Sequence, residues 1–343
     1  MTIAVELKEN DEPLNRGSFV SDQEVRWCPG CGDYAILASV QKVLPELGVK
    51  RENTVFISGI GCSSRFPYYM STYGFHTIHG RAPTIATGLK LARPELSVWV
   101  ITGDGDGLSI GANHLLHLMR RNVDVTILLF NNRIYGLTKG QYSPTSEKGK
   151  KTKTTPLGSI DHPFDPVHLA LAAGCSFVAR SIDVDSKHLQ WVLKEAALHK
   201  GTSFVEIYQN CNVFNDGAFT SISDRSVRAN NTVTLEPGSP LVFGDKSEKG
   251  LSFKNGEFEI ISMEDEFAQN KVYVHKNEES VAMAMKINEL SHPEFPVPTG
   301  IFRAIERPIY EQEVATQLAK AQKEMQGASL EGLLHSGKTW KIS

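Results

Sequence analysis

The 343-residue sequence predicts an α/β fold in which a parallel sheet carries helices on both faces. Two observations carry this expectation. Short apolar runs at 54–58 (TVFIS), 97–102 (SVWVIT), 123–130 (VDVTILLF), 176–180 and 203–208 read as buried strands, and helical stretches separate them. The glycine-bearing polar motifs follow the ends of these runs, which is where open parallel sheets bind ligands.

Each element has its own signal. Residues 33–47 read as a helix with Ile36, Leu37, Val40, Val43 and Leu44 on one face, and Gly48 stands where a C-cap belongs. Pro83 opens a second helix, with Ile85, Leu89 and Ala92 turned inward. Residues 108–121 form a third. Asp165-Pro166 starts a helix that Gly174 stops, and 186–199 form another, closed by Gly201. The first twenty residues read as an N-terminal arm, 21–222 as the domain bearing the motifs, and 223–343 as a C-terminal extension that packs on a partner. The extension begins with a polar, turn-rich stretch to about 270, followed by helices at 278–290 and 310–325.

Composition narrows the function classes. A hydrophobic content of 41%, a charged content of 22% and a net charge of -3 describe an ordinary soluble chain with no basic excess for nucleic acid. The N-terminus carries acids without an apolar core, so it predicts no secretory signal. No apolar run approaches the ~18 residues of a membrane span, and a reducing cytoplasm is the expected compartment. The run 148–153 (KGKKTK) reads as a solvated loop. There are five cysteines, an odd number that argues against a disulfide framework in such a chain. Metal ligands, a catalytic thiol or small buried hydrophobes remain.

The turn Gly103-Asp104-Gly105-Asp106-Gly107 follows one strand, and Asn131-Asn132 ends the next. That pairing is the thiamine-diphosphate pattern. Glycine lets backbone approach a diphosphate, and a helix N-terminus favours its charge. A diphosphate also needs a hard cation, and magnesium takes oxygen ligands. Asp104 offers a carboxylate, Asn132 an amide oxygen and Ile134 a backbone carbonyl. A Rossmann site would need a third glycine where Leu108 stands, and a Walker loop would need Gly-Lys-Ser/Thr, which is absent there.

Cys28 and Cys31 form a Cys-x-x-Cys pair. Cys62 and Cys211 follow strands on the side that bears the diphosphate motif. Four thiolates suit zinc or a [4Fe–4S] cluster, and their number does not separate the two. Cys175 starts a strand and reads as a core residue.

Together these segments resemble the β subunit of the 2-oxoacid:ferredoxin oxidoreductases, most of all the 2-oxoglutarate type. The resemblance rests on WCPGCGDY (27–34), GIGCSSR (59–65), HTIHGRAPTIATG (76–88), GDGDGLSIGANHLLHLMRRN (103–122), FNNRIYGLTKGQYSPT (130–145) and the region of Cys211, and it covers about 20–222. It implies that Cys28, Cys31, Cys62 and Cys211 bind one [4Fe–4S] cluster. It implies that Ile60, Gly61, Cys62, Ser63, His79, Gly105, Asp106, Gly136 and Leu137 contact thiamine diphosphate, with Mg2+ on Asp104, Asn132 and Ile134. The implied reaction is oxidative decarboxylation of 2-oxoglutarate to succinyl-CoA and CO2, or its reverse, with coenzyme A as co-substrate and ferredoxin as electron acceptor.

The glutamate that activates the aminopyrimidine has no place in this chain. The resemblance therefore implies a larger α subunit that supplies it, in a heterodimer or a dimer of heterodimers. Arg65 stands where many relatives carry lysine, and its guanidinium suits a carboxylate. Arg65, His79 and Arg81 are thus candidates for holding substrate, and Arg65 favours 2-oxoglutarate over pyruvate. Two rival classes are a non-redox thiamine-dependent decarboxylase, which four cysteines argue against, and a zinc-binding scaffold.

Overall fold

The computed structural model describes residues 13–264, 268–277, 280–325, 327–340 and 342. The strands are β1 Thr54–Ser58, β2 Tyr73–His76, β3 Ser97–Gly103, β4 Thr126–Asn131, β5 Phe177–Ile182, β6 Ser203–Tyr208, β7 Thr232–Leu235, β8 Val242–Phe243, β9 Lys249–Lys254, β10 Glu257–Ser262 and β11 Val297–Ala304. Eight of them form one sheet in the order β2-β1-β3-β4-β6-β5-β11-β7, and β10-β9-β8 form a small antiparallel sheet. The first six positions of the large sheet are parallel; β11 runs antiparallel to β5, with β7 parallel to β11. The fold is α/β, with a mostly parallel, mixed sheet.

Continuous apolar runs make these strands because both faces are buried. Val55, Ile57, Val98, Val100, Ile127 and Leu129 point into one layer. Their neighbours Phe56, Trp99, Ile101, Leu128 and Phe130 point into the other. Helices α2 (Ala82–Ala92), α4 (Ala112–Arg121) and α5 (Pro166–Ala172) cover the first face. Helices α1 (Asp33–Glu46) and α6 (Ser186–Leu198) cover the second. The remaining helices are the five-residue α3 (Asp104–Leu108), then α7 (Thr220–Ser223), α8 (Arg228–Asn231), α9 (Val281–Asn288), α10 (Tyr310–Glu324) and α11 (Leu330–Leu334). Each large side chain removed from water contributes about 1.5–3 kcal/mol. Among the described residues, no helix is long and apolar enough to cross a membrane.

The structure departs from the sequence expectations in several places. The helix expected at 108–121 is broken into α3 and α4. Gly80 crosses at the break with φ +68°, and a Cβ there would lie 2.5 Å from the Gly111 nitrogen, so the two loops can pass only as glycines. Helix α2 is rotated: Ile85 and Ala92 are exposed, Leu89 is half-buried, and Ala82, Pro83, Ala86 and Lys90 face in. The buried Lys90 ammonium explains the rotation, since it donates to the Leu96 carbonyl at 2.7 Å and pairs with Asp124 at 3.2 Å.

Residues 1–12 of the expected arm lie outside the described residues, but Phe19 is fully buried in the core. Positions 278–279 of the expected helix also lie outside them; α9 begins after Ser280, whose side chain caps it. The loop at 148–153 is partly tied down, for Lys150 reaches the Asn215 side chain. Residue 222 is no break in the sheet, because β7 and β11 of the extension join it.

Candidate active site

The site grows from the carboxyl end of β3. Asp104 is buried there, and its Oδ2 accepts hydrogen bonds from the hydroxyls of Ser143 (2.5 Å) and Thr145 (2.6 Å). Burial raises its carboxyl pKa to about 6, against the lowering effect of those two hydroxyls. The next residue must be glycine, since a Cβ on Gly105 would lie 2.2 Å from the Tyr135 ring. Tyr135 in turn donates its hydroxyl to the Gly105 carbonyl at 2.9 Å.

Asp106 ties two loops to this turn. Its Oδ1 accepts the backbone N–H of Ile60 (3.1 Å) and of Gly80 (2.8 Å), and its Oδ2 accepts from the Thr102 hydroxyl (2.7 Å). His79 Nδ1 lies 2.7 Å from the same Oδ1, and the His79 side chain lines the cavity. The end of β4 supplies the amides. Asn131 faces away from the cavity, donating to Glu206 at 2.7 Å, and Glu206 pairs with the buried Arg180 at 2.7 Å. Asn132 faces the cavity; its side-chain oxygen accepts the Ile134 N–H (3.2 Å), and its amide nitrogen donates to Gln209 Oε1 (2.8 Å).

One cavity of about 90 Å3 is lined by Ile60, Gly61, Cys62, Ser63, His79, Asp104, Gly105, Asp106, Asn132, Ile134, Tyr135, Gly136 and Leu137, among others. Thus all of the expected diphosphate, magnesium and cofactor-loop residues meet at one place. A second cavity of about 260 Å3 is lined by Cys28, Cys31, Cys62 and Cys211, with Asp33, Arg65 and Gln209. Cys62, Asn132, Gly136 and Leu137 line both, so the cavities share a wall. A Cβ on Gly136 would sit 3.5 Å from the Cys62 sulfur and 3.7 Å from that of Cys211.

Two of the four thiols sit where bare thiolates are disfavoured. Burial, with Asp33 and Cys211 adding negative charge, pushes Cys62 up to about 12 despite Arg65. Burial and Asp33 push Cys31 up as well. Asp33, also buried, is raised to about 7, and its Oδ1 has no hydrogen-bond partner. Among the described residues, no three His, Cys, Asp or Glu side chains gather closely enough for one ion.

Not every expected residue is brought together. Arg65 lines the cysteine cavity and donates to the Arg26 carbonyl at 3.4 Å. Arg81 lines neither cavity; its Nη1 donates to the carbonyls of His79 (3.3 Å) and Ile110 (3.2 Å). Cys175 is fully buried with its sulfur against the carbonyls of Phe177 and Thr202, apart from the other four. Ser143, Thr145 and Gln209 escaped the sequence reading. The serine and threonine lie inside the stretch 130–145 already singled out, but no spacing rule joins them to Asp104, some forty residues earlier.

Comparison with known proteins agrees with this geometry. Residues 59–207 match the family described as thiamine pyrophosphate enzyme, C-terminal TPP binding domain, so the chain carries a thiamine-diphosphate-binding domain. It is 53% identical over 336 residues to 2-oxoglutarate oxidoreductase subunit KorB of Mycobacterium tuberculosis, covering 97% of this chain and 90% of that protein. It is 44% identical over 233 residues to 2-oxoacid:ferredoxin oxidoreductase 1, subunit beta, of Aeropyrum pernix, covering 67% of this chain and 73% of that one. A solved 2-oxoglutarate:ferredoxin oxidoreductase from Magnetococcus marinus, with 2-oxoglutarate, coenzyme A and succinyl-CoA bound, superposes with a TM-score of 0.75 at 32% identity, over 98% of this chain and 100% of that chain. With a relative this similar along almost its whole length, and with the two cavities side by side, the chain belongs to the β subunits of the 2-oxoacid:ferredoxin oxidoreductases.

Proposed function

We propose that this chain, with a larger α subunit, catalyses coenzyme A-dependent oxidation of 2-oxoglutarate to succinyl-CoA and CO2, or the reverse, passing electrons to ferredoxin. The observation that carries the reading is the shared wall between the cofactor cavity and the four-cysteine cavity. Thiamine diphosphate supplies an electron sink for decarboxylation, and an iron–sulfur cluster takes electrons one at a time.

The residues fit these groups. Asp104, Asn132 and the Ile134 carbonyl are an oxygen set suited to Mg2+, which prefers few protein ligands and some from phosphate. Ser143 and Thr145 hold the Asp104 carboxylate in place for it. Ile60 to Ser63, Gly105, Asp106, Gly136 and Leu137 shape the bed for the cofactor, and His79 presents an imidazole to it. Cys28, Cys31, Cys62 and Cys211 surround a cavity rather than a point, which suits a [4Fe–4S] cluster better than a single tetrahedral ion. The positive charge of iron would offset the burial that disfavours the thiolates of Cys31 and Cys62.

The cofactor cavity also needs a second wall. At about 90 Å3 it is well short of the roughly 300–1,000 Å3 typical of ligand pockets. Ile78, Ile110 and Leu137, in or beside the loops around it, are exposed apolar side chains ready to be covered. This supports an α subunit that completes the site and supplies the activating glutamate, in a heterodimer or a dimer of heterodimers. The segment 223–343 is read as packing on that subunit. Arg65 is read as the group that favours a second substrate carboxylate.

The test is the co-purified two-subunit complex. It should contain thiamine diphosphate, magnesium, iron and sulfide, and should reduce ferredoxin with 2-oxoglutarate and coenzyme A faster than with pyruvate. Absence of iron would overturn the redox reading. A preference for pyruvate would overturn the substrate. Arg65→Ala should lower kcat/KM for 2-oxoglutarate roughly 10-fold or more, as loss of a charge-assisted contact predicts, and for pyruvate much less. Equal losses on both substrates would remove Arg65 from that role.

A further inference from the structure

Gln209 lines the cysteine cavity, is 1% exposed, and touches Asn132, which lines both cavities. Its side-chain amide makes three hydrogen bonds. The nitrogen donates to the Asn210 carbonyl at 2.6 Å and to the Cys31 sulfur at 3.2 Å. The oxygen accepts from the Asn132 amide nitrogen at 2.8 Å. The orientation of both amides follows from backbone groups that have only one role. The Asn210 carbonyl can only accept, so the Gln209 nitrogen faces it. The Ile134 N–H can only donate, so the Asn132 oxygen faces that.

On the reading of the two cavities given above, we infer that Gln209 is a positioning residue shared by both centres. Its N–H group holds and polarises one cysteine ligand of the cluster. Its carbonyl turns the Asn132 amide so that the oxygen is the atom offered to the magnesium ion. A hydrogen bond to a ligand sulfur stabilises the more negative, reduced cluster and so raises its reduction potential. A carbonyl that occupies the Asn132 nitrogen prevents the amide from presenting N–H groups to a cation. The same side chain thus sets a property of each centre by a different atom.

Two variants separate these atoms. Gln209→Leu removes donor and acceptor together. Gln209→Glu keeps an oxygen for the Asn132 nitrogen but loses the N–H group aimed at Cys31. Both are made in the two-subunit complex, and two readouts are taken. One is the midpoint potential of the cluster, by reductive titration followed by electron paramagnetic resonance. The other is the affinity for magnesium chloride in the presence of thiamine diphosphate, by calorimetry.

In both variants the one-electron equilibrium should move about tenfold toward the oxidised cluster, which is about 59 mV more negative. Magnesium affinity should fall roughly tenfold in Gln209→Leu and stay near the wild-type value in Gln209→Glu. Iron-loaded variants with an unchanged potential would overturn the inference, as would an equal loss of magnesium affinity in both. Loss of iron from both would also overturn it, in favour of a purely architectural role. A wild-type complex without iron would instead refute the reading of the cysteine cavity, so the two failures are distinguishable.

Discussion

At the scale of single residues, the site depends on how acids and thiols are held. Asp104 is buried and tied by two hydroxyls, so its carboxylate cannot turn from the cavity. Asp104→Ala should abolish magnesium-dependent binding of thiamine diphosphate, read by calorimetry; unchanged binding would exclude Asp104 as a ligand. Thr145→Val keeps the carboxylate but removes one charge-assisted bond, and should weaken magnesium binding about tenfold. Among the cysteines, Ser variants of Cys28, Cys31, Cys62 and Cys211 should each lose iron and visible absorption. Cys175→Ser should keep both, because that sulfur lies in the opposite core layer. Iron loss in Cys175→Ser would overturn the assignment of ligands.

At the scale of elements, the helix α5 shows how one cap links sheet and helix. Asp165 accepts the His168 N–H at 2.8 Å, and the Arg180 guanidinium lies 3.8 Å away. Burial would raise the Asp165 pKa, but His168 and Arg180 outweigh it and hold the carboxyl well below the usual range. Its contribution is present above roughly pH 4, the unfolded value, and is lost as pH falls. The bond to Asp165 raises His168, so that contribution is complete below about pH 6.5 and is lost as pH rises through the folded value. The Tm should therefore decline on both sides of this window. Asp165→Asn keeps a capping acceptor without the charge and should flatten both limbs. A Tm profile unchanged in the variant would show that this pair does not couple to folding.

Elements were legible where their pattern was local. The buried strands announced themselves by continuous apolar runs, and α1, α5 and α6 by their spacing and stops. β2 did not, because YGFH is four exposed residues at the sheet edge. Nor did β11, where Pro298 and Gly300 interrupt the apolar pattern of a paired strand. The inward face of α2 was misjudged because a buried lysine, not isoleucine, anchors it.

At the scale of the whole molecule, the segment after 222 both completes the sheet and leaves it. Asn122 donates to the carbonyls of Arg307 (3.3 Å) and Pro308 (3.1 Å), and the Glu311 carboxylate accepts the Asp124 N–H at 3.3 Å. Beyond that latch, α10 has Glu311 as its sole buried residue, while Leu318, Leu330, Leu333, Leu334 and Trp340 are exposed. Isolated apolar residues on a surface are ordinary, but such a series favours a covered surface. Deleting 313–343 should leave the Tm within about 2 °C, as expected for residues that add little to the core, and should weaken association with the α subunit tenfold or more. Undiminished association, measured by calorimetry between separate subunits, would free this tail of that role.

By itself the sequence determined the α/β class and displayed the glycine–aspartate turn and the paired asparagines, because each depends on neighbours along the chain or on a motif of fixed spacing, whereas the set of four cysteines came from the resemblance to the family. Which asparagine faces the cavity required the pleat of β4 and the pairing of Glu206 with Arg180. That Ser143 and Thr145 hold Asp104, that Arg81 reaches the Ile110 carbonyl, and that Gln209 bridges Asn132 and Cys31 all required the folded chain. These contacts bridge residues 29 to 178 positions apart. Hydrogen bonds act over about 3 Å in space and carry no trace of their separation in sequence.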